Sequence, residues 1–152
     1  MYRNSEGFCD PTAGAAISHV MKEYREKRKA AWEHETAVKA RKKAYIVSKY
    51  AGDIEQNTQD AIRFCRATIR AGFIPVASHL LYPQILNDSD AEERELGLLF
   101  GQALLAICDE VWVFAFIDAE GKYILSPGMK EELREAKRLK KRVRFIDGKE
   151  IR

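Results

Sequence analysis

The stretch VWVFAFI, residues 111–117, contains no polar side chain. A run of this length and composition is typical of a strand that is buried on both faces of a parallel sheet. After a loop it leads to SPGMKEELREA, residues 126–136, which combines a tight turn with a helix start. In parallel sheets, ligands bind beyond the carboxyl ends of the strands. We therefore expect this turn to face a ligand.

Strand-like and helix-like segments alternate around this stretch. Three further strands are predicted, over residues 44–48, 73–77 and 142–146. Asp53 and Asp90 are predicted N-caps of helices, Gly72 ends the first of them, and another helix covers about 127–140. The alternation predicts an α/β domain with a three-layer, Rossmann-like (flavodoxin-like) parallel sheet of four to five strands.

The predicted helices between the strands carry apolar residues at intervals of three or four, the pattern of a helix that packs one face on a core. After Asp53 these residues are Ile54, Ala61, Ile62, Cys65 and Ile69. After Asp90 they are Leu96, Leu99, Phe100, Ala103, Leu104 and Ile107. We expect both sets to face the sheet.

The N-terminal part is predicted to be a helical extension over 1–42, ahead of an α/β domain over 43–152. From Gly14 to Lys43 the sequence contains no helix breaker, and its apolar positions form an interrupted stripe. A helix of that length needs a partner surface, either the domain or another subunit. Its basic clusters alternate with glutamates, which favours a solvated face over a nucleic-acid-binding arm.

The composition of the chain argues against several classes of function. The chain has 152 residues, 46% of them hydrophobic, and a formal net charge of only +3, so one domain and no nucleic-acid partner are expected. Its three cysteines form no CxxC pair and its histidines do not cluster. We therefore expect no disulfide, no metal and no cofactor. Without a signal-peptide pattern or an apolar window of about 18 residues, we expect no membrane partner and a cytoplasmic location.

Several segments together carry a family resemblance. They are YIVSKYAGD at 45–53, Asn57, GFIPVASHLL at 72–81, Glu93-Arg94, CDEVWVF at 108–114, and SPGM at 126–129 leading to Glu132. In this order and spacing, the chain from Tyr45 onward resembles the nucleoside 2-deoxyribosyltransferase-like superfamily, and most closely a branch of small phage and prophage proteins within it. The resemblance implies cleavage of the bond between a nucleobase and C1 of a ribose or deoxyribose, a homo-oligomer, and the host cytoplasm for a phage protein.

The resemblance implies that Glu132 is the nucleophile. Breaking an N-glycosidic bond passes through an oxocarbenium-like state, which an ionised carboxylate can stabilise and then capture covalently. The alternative is that a glutamate near a helix start merely complements the helix dipole, a reading that suits Glu131 and Glu135 better. Water or a second base would release the sugar, so hydrolysis and transfer both remain open.

The remaining candidates are substrate-binding residues. They are Tyr45, Ser48, Tyr50, Gly52, Asp53, Asn57, His79, Arg94, Asp109, Ser126, Gly128 and Met129. The resemblance implies that Ser126 belongs to a phosphate-binding SxG turn, so that a nucleoside 5'-monophosphate is the expected ligand, assisted by the Gly128 amide and Arg94.

Each candidate also has a purely structural interpretation. Ser126 and Asp53 are either ligand contacts or helix caps, and Arg94 is either a phosphate contact or a surface ion-pair partner of Asp90 or Glu93. Tyr45 and His79 are either ligand contacts or satisfied core residues. Asn57 is either a contact or a solvated helix residue, and Asp109 is either a site residue or a turn former.

Two features depart from the family pattern. Active superfamily members usually carry an aspartate eight residues before the position of Asp109, where this chain has Gly101. Lys49 and Ser78 stand where relatives more often have proline. The alternative hypothesis is therefore a catalytically silent nucleotide-binding protein, such as a phage factor that sequesters a nucleotide signal.

Overall fold

The computed structural model describes Arg3, Glu6, Gly7 and residues 11–151. The chain forms two compact units, Met1–Ala40 and Arg41–Arg152. Helix α1, Pro11–Lys39, lies in the first unit, and every one of its residues is at least partly exposed. The N-terminal helix predicted from the sequence is present, and it ends at Lys39, four residues before the predicted end.

The second unit is a parallel sheet with helices between its strands. The strands are β1 (Lys43–Val47), β2 (Ile74–Val76), β3 (Glu110–Ala115) and β4 (Arg142–Asp147). The helices are α2 (Ile54–Arg70), α3 (Ala91–Ile107) and α4 (Pro127–Arg138). The strand order is β2-β1-β3-β4, and all three pairings are parallel. The predicted fold class, a three-layer Rossmann-like α/β fold with an N-terminal helix, is confirmed.

The two faces of the sheet are covered by different helices. Side chains alternate along a strand, so Tyr45 and Val47 of β1 pack with Leu105 of α3 and Leu133 of α4. The intervening positions of β1 and β3 form a second cluster with Phe64 of α2 on the opposite face. Because both faces are covered, β1 and β3 need apolar residues after their charged first residues, Lys43 and Glu110, which explains the unbroken run from Val111 to Ala115.

The helix ends match the sequence signals. Asp53 Oδ1 accepts the Gln56 backbone N–H at 3.1 Å, and Asp90 Oδ1 accepts those of Glu92 and Glu93 at 2.9 and 3.1 Å. Gly72 follows α2 with a φ of +87°, a left-handed conformation that glycine adopts without strain. The predicted caps of α2 and α3 and the predicted end of α2 are confirmed.

The predicted buried faces of two helices need correction. In α2, Ile54 and Ile69 are exposed, and the helix packs instead through Ala61, Phe64 and Thr68.

In α3 the error is larger. The exposed residues include most of the set predicted to face the sheet: Leu96, Leu99, Phe100, Ala103 and Ile107. The buried residues of α3 are Gly101 and Leu105. Among the described residues, no helix is both long and apolar enough to cross a membrane.

Candidate active site

A cavity of about 430 Å³ lies at the carboxyl edge of the sheet. It is lined by residues that follow β1, by the 3₁₀ turns that follow β2, by one face of α3 and by the start of α4. The adjacent strands β1 and β3 lead to helices on opposite faces of the sheet, so the cavity lies at a topological switch point. Its volume is in the range of small-molecule sites.

Nine of the thirteen residues predicted from the sequence line this cavity. They are Tyr45, Ser48, Tyr50, His79, Arg94, Ser126, Gly128, Met129 and Glu132. Because the carboxyl ends of parallel strands share one edge, residues that follow different strands meet there although they are up to 87 positions apart.

Glu132 lies in the second turn of α4, with its side chain at the cavity wall. The Tyr45 hydroxyl donates a hydrogen bond of 2.8 Å to Glu132 Oε1. Within the described part of the chain, no fully enclosed polar side-chain atom lacks a hydrogen-bond partner, and no bond to Oε2 is present. Oε2 therefore keeps some exposed surface, on a side chain that lines the cavity.

Burial sets the protonation of this carboxyl group. It raises the pKa of Glu132 to about 7, although the hydrogen bond from Tyr45 acts in the opposite direction. Burial, and then the negative charge of Glu132, raise the pKa of Tyr45 above its ordinary value, so the phenol remains protonated and donates. Glu132 thus changes between its neutral and ionised forms near neutral pH.

Tyr45 is itself held by Ser78. The Ser78 Oγ and Tyr45 Oη atoms lie 2.7 Å apart in the buried interior. A tyrosine hydroxyl has one proton, and Tyr45 donates it to Glu132, so Ser78 donates to Tyr45. The sequence analysis missed Ser78 as a site residue. The result is a directed chain of hydrogen bonds from Ser78 through Tyr45 to Glu132.

Gly101 of α3 leaves space for the hydrogen-bonded side chains of Ser78 and Tyr45. A Cβ atom at position 101 would lie 3.3 Å from both Ser78 Oγ and Tyr45 Oη. Position 101 is therefore next to this series of hydrogen bonds, and the hydroxyl groups of Ser78 and Tyr45 border the space that a side chain at this position would enter.

His79 forms a second polar pair in the cavity. Its Nε2 atom lies 2.9 Å from Ser48 Oγ. Burial lowers the pKa of His79 to about 4, so the imidazole is neutral at physiological pH. It offers hydrogen bonding to a ligand and no positive charge.

The start of α4 forms another part of the wall. Ser126 Oγ accepts the Met129 backbone N–H at 3.3 Å, so the predicted cap is present. The amides of a first helical turn have no helical acceptor and carry partial positive charge. Arg94 stands at the rim with an exposed side chain, and its ion-pair partner is Asp88 at 3.9 Å rather than the expected Asp90 or Glu93. The first turn of α4 is therefore the part of the wall suited to an anion.

Four predicted site residues do not line the cavity. Gly52 and Asp53 lie in the turn before α2, where Asp53 is the cap. Asn57 Nδ2 donates to the carbonyls of Tyr50 and Ala51, both at 3.0 Å, and so holds the loop that borders the cavity.

Asp109, the fourth of these residues, lies at the opposite edge of the sheet. Its Oδ2 atom accepts the Lys43 backbone N–H at 2.7 Å, at the amino ends of β1 and β3. Asp109 precedes β3 and so lies at the amino edge of the sheet, whereas the cavity lies at the carboxyl edge.

The sequence analysis also missed several residues of the wall. They are Ser78, Tyr82, Pro83, Leu86, Gly97, Leu98, Gly101 and Gln102. Gly97 and Gly101 are one helical turn apart, and this spacing could have been recognised in the sequence. Two glycines on one face of a helix allow another element to approach that face closely. Among the residues that the structure describes, no three His, Cys, Asp or Glu side chains come together as a metal site.

Residues 42–146 match the model of a family described as "Domain of unknown function (DUF7768)". The chain belongs to this family. The match includes β1 to β3, α2 to α4 and nearly all of β4, and with them every element that lines the cavity, whereas α1 lies outside it. No curated protein matches the chain. Because the family description assigns no activity, function has to be argued from the site.

Proposed function

We propose that this protein binds a nucleoside or nucleoside 5'-monophosphate in the cavity and breaks its N-glycosidic bond with Glu132 as the nucleophile. The observation that carries the proposal is the environment of Glu132, whose Oε1 is fixed by Tyr45 and whose side chain lines a cavity of about 430 Å³ with Oε2 not engaged in a hydrogen bond to the described residues. The substrate class rests on the resemblance to the nucleoside 2-deoxyribosyltransferase-like superfamily.

The proposed reaction has two steps. In the first, a carboxylate oxygen of Glu132 forms a bond to C1' of the sugar while the bond from C1' to the base nitrogen breaks. The electron pair of that bond leaves with the base, which takes a proton from water. In the second step, water or another base attacks C1' and releases the carboxylate.

The electrostatics of the site support this assignment. A pKa of about 7 leaves a large ionised fraction of Glu132 at neutral pH, and the positive charge that develops on the sugar ring favours that form further. His79 is neutral at this pH because its pKa is lowered to about 4, so protonation of the leaving base is assigned to solvent.

A 5'-phosphate group is supported by the start of α4, one helical turn before Glu132. The first turn of α4 presents the Gly128 amide beside the Ser126 cap, and Arg94 adds a guanidinium at the rim. Helix starts and arginine side chains are the usual partners of phosphate oxygens. We therefore expect monophosphates to be better ligands than the corresponding nucleosides.

The test is a chromatographic screen for free base after incubation with nucleosides, their monophosphates and NAD-like compounds. The wild-type protein should release base from at least one of them, and Glu132→Gln should lower the rate by at least about 10³-fold. Glu135→Gln is the matched control, since Glu135 is on the same helix and pairs with Arg138 at the surface. Equal release by the wild-type protein and Glu132→Gln would refute the role of Glu132.

Gly101 favours a second candidate, a nucleotide-binding protein without turnover. A side chain at position 101 would press on Tyr45 and Ser78, because a Cβ atom there would lie 3.3 Å from their hydroxyl oxygens. The same screen separates the two functions. A silent binder would show ligand-dependent thermal stabilisation, and the ligand would be recovered intact after denaturation.

A further inference from the structure

Helix α3 is apolar around most of its circumference. Between Leu96 and Ile107 its one polar residue is Gln102. A helix of this composition is normally buried. Yet Leu96, Phe100 and Ile107 are 41 to 66% exposed. Contiguous apolar surface on one helix face usually marks a protein interface.

The exposed face has a symmetric spacing. Leu96, Phe100, Ala103 and Ile107, called here the α3 seam, are separated by four, three and four residues, so the spacing is the same in both directions. If two copies of α3 lie antiparallel, Leu96 of one copy faces Ile107 of the other, and Phe100 faces Ala103. Each large side chain at the centre then meets a small one, the arrangement that packed helices require.

Charges at the two ends of α3 favour the same orientation. Glu92 lies one turn before Leu96 on the same face. At the other end, Lys141 Nζ donates to the carbonyls of Ala106 and Cys108 at 2.7 and 2.6 Å, so an ammonium group lies at the end of the helix. An antiparallel pair brings Glu92 of each copy toward Lys141 of the other and opposes the helix dipoles. A parallel pair would bring like charges together.

We propose that the α3 seam is the interface of a two-fold symmetric homodimer in which the α3 helices of two copies pack antiparallel. This explains why an apolar stripe that the sequence predicts to be buried is exposed in the single chain. The proposal is independent of the reaction assigned to Glu132, since none of the four seam residues lines the cavity, although Phe100 packs on the ring of the cavity residue Tyr82 with 5.3 Å between ring centres.

The first test is the molar mass of the full-length chain, measured by light scattering after size exclusion. Ile107→Glu is matched to Ile69→Glu, because both replace an exposed isoleucine near the carboxyl end of a helix, 66% and 49% exposed respectively. We expect a dimer for the wild-type protein and for Ile69→Glu, and a monomer for Ile107→Glu. A monomeric wild-type protein, or a dimeric Ile107→Glu, would overturn the proposal.

Helix α1 supplies a second control, since it carries exposed apolar residues such as Val20. Val20→Glu should leave the dimer intact. If Val20→Glu dissociates the dimer while Ile107→Glu does not, α1 forms the interface and the α3 proposal is wrong.

Cross-linking tests the orientation. The double variant Leu96→Cys/Ile107→Cys should give a disulfide-linked dimer on oxidation, which a reducing agent reverses. Each single variant should give no more of it than the wild-type protein, whose native cysteines set the background. In a parallel pair each residue would face its own counterpart, so strong cross-linking of Leu96→Cys alone would contradict the antiparallel arrangement.

Discussion

Two carboxylates at opposite edges of the same sheet have opposite surroundings. Glu110, at the amino end of β3, is buried and accepts hydrogen bonds from Trp112 Nε1 at 3.0 Å and Arg144 Nε at 2.7 Å. Arg142 adds a second guanidinium 3.7 Å away. Glu132, at the carboxyl edge, accepts from the described residues one hydrogen bond, which comes from the neutral phenol of Tyr45.

The two pKa values diverge accordingly. Burial alone would raise the pKa of Glu110, but the hydrogen bonds from Arg144 and Trp112 and the nearby arginine charges hold it below its usual value. Burial raises the pKa of Glu132 to about 7. The protein's own hydrogen bonds and arginine charges compensate the negative charge of Glu110. The negative charge of Glu132 is left for a ligand to compensate. Such an uncompensated carboxylate in a cavity is the better candidate for chemistry.

The largest stability effect is expected at Glu110. Glu110→Gln removes the negative charge that holds Arg144, whose guanidinium also lies 5.3 Å from the centre of the Trp112 ring. Because Glu110 is buried whereas Arg144 is 39% exposed, this loss should lower the free energy of unfolding by about 1 to 3 kcal/mol. Glu135→Gln, which breaks a surface pair with Arg138, should cost much less. Urea denaturation measures the stability of both variants. Equal urea midpoints for Glu110→Gln and Glu135→Gln would refute the expected difference.

Glu132→Gln should stabilise the protein, whereas Glu110→Gln should destabilise it. The gain at Glu132 should depend on pH. The folded-state pKa of about 7 lies above the unfolded value of 4.5, so the folded protein binds the proton more tightly. The wild-type protein therefore loses stability as pH rises from about 4.5 to 7, by at most about 3 kcal/mol. The variant does not titrate there, so its stability relative to the wild-type protein should increase across this window. A difference that stays constant from pH 4.5 to 8 would show that the carboxyl group is not perturbed.

Tyr45→Phe should affect the pH profile more than the stability. It removes the donor to Oε1, which should cost about 1 kcal/mol of unfolding free energy and raise the pKa of Glu132 further. Base release should then fall more at pH 6 than at pH 8.5, because less of the carboxyl group is ionised at the lower pH. Tyr123→Phe is the control, since Tyr123 packs on the ring of Phe145 outside the cavity. An equal loss at both pH values would mean that the hydroxyl does not influence Glu132.

The smallest effects are expected at the two glycines of α3. A Cβ atom at Gly97 would make an ordinary contact of 3.5 Å with Leu86, so Gly97→Ala should stabilise the protein by about 0.5 to 1 kcal/mol through helix propensity. At Gly101 the contacts of 3.3 Å with Tyr45 and Ser78 should offset that gain. Thermal unfolding of the two variants compares them directly. An equal gain at both positions would show that the hydrogen-bond chain has room to move.

Local signals in the sequence predicted much of the fold. The apolar runs identified β1 and β3, and Asp53, Asp90 and Gly72 marked helix ends because their chemistry is local. The direction in which α3 faces was not predictable from periodicity, because the helix is apolar on nearly every side. Its buried face follows from Gly101, which has no side chain and so permits close approach to the cavity wall.

The sequence predicted those site residues whose position is set by the carboxyl ends of the strands. Residues that follow β1, β2 and β3 meet at the cavity, whereas Asp109 precedes β3 and lies at the other edge. The irregular segment after β2 contributes Ser78 and Tyr82, and nothing local indicated which of its residues turn inward. The hydrogen bond between Tyr45 and Glu132 joins residues 87 positions apart in the sequence, so it could be found only from the folded structure.

The central claim concerns the carboxylate of Glu132, and mass spectrometry of the quenched reaction tests it most directly. During turnover of a substrate found in the base-release screen, a peptide containing Glu132 should gain the mass of one sugar residue, with or without its phosphate, and the gain should be absent in Glu132→Gln. Base release with no such adduct in the wild-type protein, and undiminished release by Glu132→Gln, would contradict the account.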